Sequence, residues 1–277
     1  MARIIVLILS FVGAVGGSVS AVPHQGERQI DPSAQAALSY FESVQVSDFG
    51  TLLRQLRRPA PPASVRAWVM KNLPKEGALT PTAQETTKLK VLLPVLTFHG
   101  REHDMEILLM TAGGLAFVGL HARTVILISR EALCLLDTEE LLAIGAHELG
   151  HDYTWDEYEE ARRASNTRRL QELELRCDGF AVITMVALGL DPEQLVSAAT
   201  KLARYNERRF EKLLDPRYVA LDQRIRFIRS IARLLATAST GGGSLPSNRS
   251  VWTIPSAPSV TRSVNSVSRL SSLPRPS

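Results

Sequence analysis

The stretch Leu141–His151 carries His147, Glu148 and His151 in the pattern His-Glu-x-x-His, inside an otherwise apolar run. On an α-helix, residues four apart lie on one face, with Cβ atoms about 5–6 Å apart. His147 and His151 can therefore direct two imidazoles at one metal ion, and Glu148 can reach a water bound to that ion. The pattern predicts a helix that supplies part of a metal-dependent hydrolytic site. The alternative is a helix with two hydrogen-bonded structural histidines.

Short strands are predicted immediately before this helix. The segments Met105–Thr111, Leu115–Leu120 and Thr124–Ser129 are apolar, and the last one is rich in β-branched residues. Asp137 follows as a helix N-cap, with Glu140 three residues later in the position of a capping-box partner. A small β-sheet is therefore expected beside the helix of the His-Glu-x-x-His pattern.

Apolar periodicity and helix-start signals predict that the rest of the ordered chain is helical. The fold class expected is α+β and mainly helical. The highly charged stretch Tyr153–Asn166 is predicted to be a solvated insertion. The predicted helices begin after Asp31 and cover about Phe49–Arg57, Ser64–Asn72, a segment from Thr80 to Leu93, Thr167–Leu188, Asp191–Leu213 and Val219–Ala236.

The two ends of the chain differ from the middle. Arg3, the apolar block Ile4–Val15 and the small residues ending at Ala21 are typical of an export signal over residues 1–21. An uncleaved membrane anchor is the alternative, and either interpretation predicts a periplasmic, secreted or membrane-anchored protein. Residues 237–277 are rich in Ser and Pro and are predicted to be disordered.

Length, charge and cysteine content limit the size of the core, the class of partner and the possible disulfide bonds. The 277-residue chain is 45% hydrophobic, which suffices for one sizeable core, and its formal net charge is +4. The tail from residue 237 onward has four arginines and no acidic residue, so the body is near neutral and no nucleic-acid partner is expected. Cys134 and Cys177 could pair in an oxidising compartment or stay as buried thiols.

A catalytic zinc site usually has three protein ligands, so a third is needed from another element. Glu172 and Glu174 lie in the next predicted long helix and are the candidates. Glu174 and Asp178 are four residues apart on one helix face. A carboxylate at Glu174 can bind the metal, and Asp178 can orient a histidine that binds it.

These motifs, in this order, resemble the M48 family of zinc metallopeptidases, and the resemblance covers about Met105–Ile231. It implies a zincin-like peptidase domain over residues 101–236. The helical region predicted over residues 22–100 lies outside the resemblance. The resemblance also implies one Zn²⁺ per chain, held by His147, His151 and Glu174 and supported by Asp178 and Arg224. Glu172 is the alternative ligand.

The chain departs from this family pattern at two positions. Cys177 stands where the family usually has Ala. Tyr218 stands six residues before Arg224, where the family often has an oxyanion-stabilising His, and the tyrosine hydroxyl could donate to the oxyanion in its place. His99 and His103 form a second His-x-x-x-His spacing but have no third ligand nearby, so they are interpreted as surface histidines.

The function implied is a zinc-dependent endopeptidase acting on proteins of the cell envelope or exterior, with Glu148 as the general base. An extended protein or peptide substrate is expected to pair with the strand Thr124–Ser129. The alternative is an envelope chaperone or assembly factor on a peptidase scaffold, with slow or conditional proteolysis. In either case the basic tail could bind an envelope partner or a membrane surface.

Overall fold

The computed structural model describes residues 31–43, 49–73, 77–210 and 219–240. Over these residues the protein is mainly helical with one three-stranded sheet, as the expected α+β class requires. The predicted export signal, Tyr218 and the tail beyond residue 240 lie outside the described residues.

The helices flank the sheet on both sides in sequence. None of those in the described part of the chain is apolar over a stretch long enough to cross a bilayer. Their bounds are α1 Pro32–Glu42, α2 Phe49–Leu56, α3 Ala63–Asn72, α4 Ala83–Leu89, α5 Leu93–Phe98, α6 Arg130–Leu135, α7 Thr138–Arg163, α8 Thr167–Ala187, α9 Glu193–Arg209 and α10 Leu221–Thr240, with a 3₁₀ turn over Lys90–Leu92 between α4 and α5.

The sheet consists of β1 (Glu106–Met110), β2 (Val118–His121) and β3 (Val125–Ser129), in the order β1-β3-β2. β3 pairs in parallel with β1 and antiparallel with β2. The prediction that this strand pairs with an extended substrate is therefore wrong, because both of its edges are already hydrogen-bonded. Its uninterrupted apolar run reflects a central strand that is buried along its whole length.

Local signals place the start of α7. The Asp137 carboxylate accepts a hydrogen bond from the Glu140 backbone N–H, and the Glu140 side chain accepts one from the Asp137 N–H. The predicted capping box is thus confirmed, and it satisfies two backbone donors at the helix end. Glu140 also contacts Ser197 and Lys201 of α9, so the same carboxylate ties α9 to the start of α7.

The far end of α7 differs from the prediction. The charged stretch after His151 is only partly solvated, because α7 continues through it as one 26-residue helix with Thr154, Tyr158 and Ala161 buried. Glu, Ala and Arg are good helix formers whatever their exposure. The buried side chains of Tyr158 and Ala161 pack against Leu170 and Leu173 of α8, which anchors this half of α7.

Helices α7 and α8 pack closely along the predicted metal-binding segment. A Cβ atom on Gly150 would lie 2.7 Å from the Cα of Cys177, so only glycine permits this approach of the two backbones. On the other side of α8, a Cβ on Gly179 would lie 2.3 Å from the ring of Phe41 in α1. Helix α1 therefore packs against the back of α8 within the main apolar core.

Candidate metal centre

Three buried side chains converge between α7 and α8. The Oε2 atom of Glu174 lies 3.6 Å from Nε2 of His147 and 3.9 Å from Nε2 of His151. Two ligands of a tetrahedral ion with bonds of about 2.1 Å are about 3.4 Å apart, so this spacing fits one metal ion. The exposed fraction is 1% for His147, 3% for His151 and 4% for Glu174. The group can bind a metal ion.

The state of His151 supports a metal site. Its Nε2 atom is buried and has no hydrogen-bond partner among the described residues. A buried polar atom without a partner costs about 1–3 kcal/mol, so native proteins rarely tolerate one outside a functional site. A metal ion bound between His151 and Glu174 would satisfy this nitrogen.

Glu148 lies on α7 beside this group and is completely buried. Its Oε2 atom accepts a hydrogen bond of 2.8 Å from the backbone N–H of Leu120 in β2, which holds the carboxyl group in place. Its Oε1 atom has no hydrogen-bond partner in the described part of the chain. One carboxylate oxygen is therefore positioned by the sheet, and the other can accept a proton.

Asp178 and Arg224 hold the ring of His147 on the side of its Nδ1 atom. Asp178 lies one turn after Glu174 on α8, and its Oδ1 atom is 2.8 Å from Nδ1 of His147. Arg224 of α10 donates to both carboxylate oxygens of Asp178, with an Nε–Oδ2 distance of 2.9 Å. This bidentate pair fixes Asp178, which in turn fixes the imidazole so that Nε2 faces the other two ligands.

The pKa values of His147 and His151 are shifted in opposite directions. Burial tends to lower the pKa of His147, but its hydrogen bond and charge interaction with Asp178 outweigh burial and raise the pKa to about 9. His151 lacks such a carboxylate on its Nδ1, and burial lowers its pKa to about 4. Burial also raises the pKa of Glu148 to about 8. Opposed shifts of neighbouring buried groups are characteristic of functional sites.

The structure separates the two glutamates that the sequence left as candidates. Glu172 forms ion pairs with Arg169 and Arg176, at 2.5 and 2.8 Å, and does not belong to the candidate metal-binding group. Glu174 faces α7 and belongs to it. Tyr218 lies outside the described residues, so its role at the oxyanion stays a prediction.

The second histidine pair is not what the sequence indicated. His103 is exposed, but His99 is buried, so the interpretation of both as surface residues is wrong for His99. Its ring bonds to the hydroxyl groups of Tyr153 and Thr184, at 2.6 and 3.0 Å. These partners are 54 and 85 positions away in the chain. No local signal could have shown that they surround His99.

Two contributors to the site were not found from sequence. One is the backbone N–H of Leu120, which no side-chain pattern can reveal. The other is the contact of Cys177 with His151. The sequence singled out Cys177 only as a departure from the family pattern, and its sulfur lies 3.4 Å from Nδ1 of His151. Cys177 and Cys134 are both free thiols, so no disulfide joins them. The position of Cys177 three residues after Glu174 was the available signal, since both then lie on the helix face toward α7.

In comparisons with known proteins, no family model and no curated protein matches this chain.

Proposed function

We propose that this chain is a zinc-dependent endopeptidase of the M48 type. The observation that carries the proposal is the position of Glu148, a buried carboxylate with one open oxygen, beside the group formed by His147, His151 and Glu174. Two imidazoles and one carboxylate form the ligand set of many hydrolytic zinc enzymes, and the fourth position of the ion is left for water. A purely structural zinc site would need no such neighbouring base.

The donor set supports zinc among the metals. Imidazole nitrogens suit zinc and the later transition metals, whereas calcium and magnesium prefer ligands that are all oxygen. The contact of His147 with Asp178 matches the carboxylate–histidine pairs that orient zinc ligands in proteins. When bound there, zinc would lower the pKa of a water molecule towards about 7 and polarise a peptide carbonyl.

The residues of the chain would divide the remaining work. Glu148 would take the proton of the attacking water on its Oε1 atom, which has no hydrogen-bond partner in the described part of the chain, and then deliver it to the leaving amine. The hydrogen bond from the Leu120 N–H keeps the other oxygen of Glu148 from rotating towards the ligands. Asp178 and Arg224 hold His147 through the reaction. Tyr218 is proposed to donate to the oxyanion.

The predicted export signal supports a substrate in the cell envelope or outside the cell. The substrate class proposed is therefore protein or peptide in that compartment, bound in an extended conformation. β2 replaces β3 as the strand that an extended substrate would approach. β2 is the edge of the sheet on the side of Glu148, and it already contacts that residue through Leu120.

The test is the substitution Glu148→Gln, with Glu139→Gln on the exposed first turn of the same helix as the matched control. Cleavage of casein or a fluorogenic peptide library is measured beside the zinc content of each purified protein. We expect Glu148→Gln to retain one zinc per chain and to lose at least about 100-fold in turnover, because a general base contributes about 10²–10⁴-fold. A Glu148→Gln protein that cleaves at the wild-type rate would contradict the mechanism.

A further inference from the structure

His151 has an unusual partner on the side of its ring that faces away from the ligand group. Its Nδ1 atom lies 3.4 Å from the Sγ atom of Cys177, and both residues are buried. The contact depends on the close approach of α7 and α8 at Gly150, which brings the Cys177 backbone to within van der Waals distance of α7. His151 therefore meets a thiol where His147 meets the carboxylate of Asp178.

The neighbours of Cys177 indicate which atom donates the hydrogen bond between Cys177 and His151. Thr154 Oγ1 lies 3.5 Å from the carbonyl oxygen of Gly150 and 3.6 Å from Cys177 Sγ. A carbonyl oxygen can only accept, so the threonine hydroxyl donates to it and accepts from the thiol. The Cys177 S–H then points to Thr154, and the sulfur lone pair is left to accept from His151 Nδ1–H.

This direction determines which ring nitrogen of His151 carries the proton. With the proton on Nδ1, the lone pair lies on Nε2, the buried nitrogen that faces Glu174 and has no hydrogen-bond partner among the residues that the structure describes. That is the tautomer a metal ligand must have. The sulfur lies on the opposite side of the ring from Nε2, so Cys177 contacts the imidazole and is not placed as a fourth ligand.

We infer that Cys177 is a positioning residue for the metal site. Its thiol sulfur accepts a hydrogen bond from His151 Nδ1–H and so holds the ring in the orientation and tautomer that present Nε2 to the metal. The inference rests on the proposed zinc-peptidase function. It predicts a site with unequal support, in which His147 is held by a carboxylate and His151 by a neutral thiol, the weaker acceptor.

The test compares the wild type with Cys177→Ala and Cys177→Ser in the full chain. Cys134→Ala, which removes the exposed thiol of α6, is the matched control. Nitrogen-15 NMR of the metal-free proteins identifies the tautomer of His151, and titration with zinc against a competing chelator gives the affinity. We expect the Nδ1–H tautomer in the wild type, the Cys134→Ala control and Cys177→Ser, because a serine hydroxyl also accepts a hydrogen bond. Cys177→Ala should show a mixture of tautomers and bind zinc about tenfold more weakly, at the lower end for residues that support a metal ligand.

The metallopeptidase function and the positioning role of Cys177 are refuted by different results. A wild-type protein that binds no zinc refutes the metallopeptidase, whatever the state of Cys177. A wild type that binds zinc but has His151 protonated on Nε2 in its metal-free form overturns the positioning role, and this measurement needs no variant to fold. The role is also overturned if Cys177→Ala keeps the Nδ1–H tautomer and the wild-type affinity.

Discussion

Two buried clusters that contain histidine contact α7 and α8 of this protein, one with His99 alone and one with His147 and His151, and they differ in hydrogen bonding and charge. In one, His99 bonds to Tyr153 of α7 and Thr184 of α8. In the other, His147 and His151 of α7 face Glu174 of α8. Both clusters are buried in the same core, so burial alone does not distinguish a structural histidine from a functional one.

The difference lies in hydrogen bonding and charge. The Thr184 hydroxyl donates to the carbonyl oxygen of Phe180, so it accepts from Nε2–H of His99, and the Tyr153 hydroxyl donates to Nδ1. Both ring nitrogens are thus used, and burial lowers the pKa of His99 to about 3, which keeps it neutral. The candidate metal-binding cluster instead has buried atoms on His151 and Glu148 that have no hydrogen-bond partner in the described part of the chain. A cluster whose buried polar atoms are all hydrogen-bonded stabilises the fold, whereas one with unpaired buried polar atoms is a candidate ligand site.

The largest expected effect separates Glu174 from its neighbour on the same helix. Glu174→Gln should weaken zinc binding by more than about 100-fold, since a direct ligand contributes more than the residues that support it. Glu172→Gln should leave the affinity unchanged, because Glu172 pairs with arginines instead. The measurement is zinc titration against a competing chelator. Loss of zinc in Glu172→Gln with retention in Glu174→Gln would show that the ligand has been assigned to the wrong glutamate.

The next effect concerns the cluster that contains His99. His99→Phe should lower the free energy of unfolding by about 1–3 kcal/mol, because the buried Thr184 hydroxyl loses its donor and the Tyr153 hydroxyl loses its acceptor. Zinc affinity should not change. Chemical denaturation and zinc titration measure the two quantities, and His103→Phe is the control, since His103 is exposed. If His99→Phe abolished zinc binding, the two clusters would have to be treated as one site.

The smallest effect is the pH dependence that His99 contributes. Its pKa is about 3 in the folded protein and about 6.5 when unfolded, so between these values the unfolded state binds more protons. Stability from this residue is therefore lost as the pH falls below about 6.5, by about 0.7 kcal/mol between pH 7 and pH 6. The measurement is the difference in unfolding free energy between wild type and His99→Phe, with chelator present, at both pH values. An equal difference at pH 7 and pH 6 would contradict the low pKa of His99.

Local patterns predicted much of this fold. The capping box of Asp137 and Glu140 and the three strands before it depend on residues within a few positions of one another, and the structure contains all of them. The second half of α7 was predicted only as a solvated stretch, because charged residues indicate solvent exposure. Charged residues do not exclude a helix. This half of α7 is held by Tyr158 and Ala161 packing on α8, a contact between separate elements.

The candidate site could likewise be predicted only where its residues are close together in the sequence. His147, Glu148 and His151 are close in sequence, so helical spacing alone puts them on one element. A choice between Glu172 and Glu174 requires the rotation of α8 about its axis, which packing against α7 determines. The buried state of His99 and the central position of β3 likewise depend on segments far apart in the chain.

The amino-acid sequence by itself determined most of the elements and which candidate ligands each one carries, because helix capping, side-chain periodicity and the His-Glu-x-x-His spacing act over a few residues. Only the tertiary structure decided which atoms meet. Gly150 allows α7 and α8 to approach until Glu174 faces the histidines and Cys177 reaches His151. Arg224 arrives from α10 to pair with Asp178. These contacts arise from the packing of buried surfaces, which is a property of the whole chain and not of any one segment.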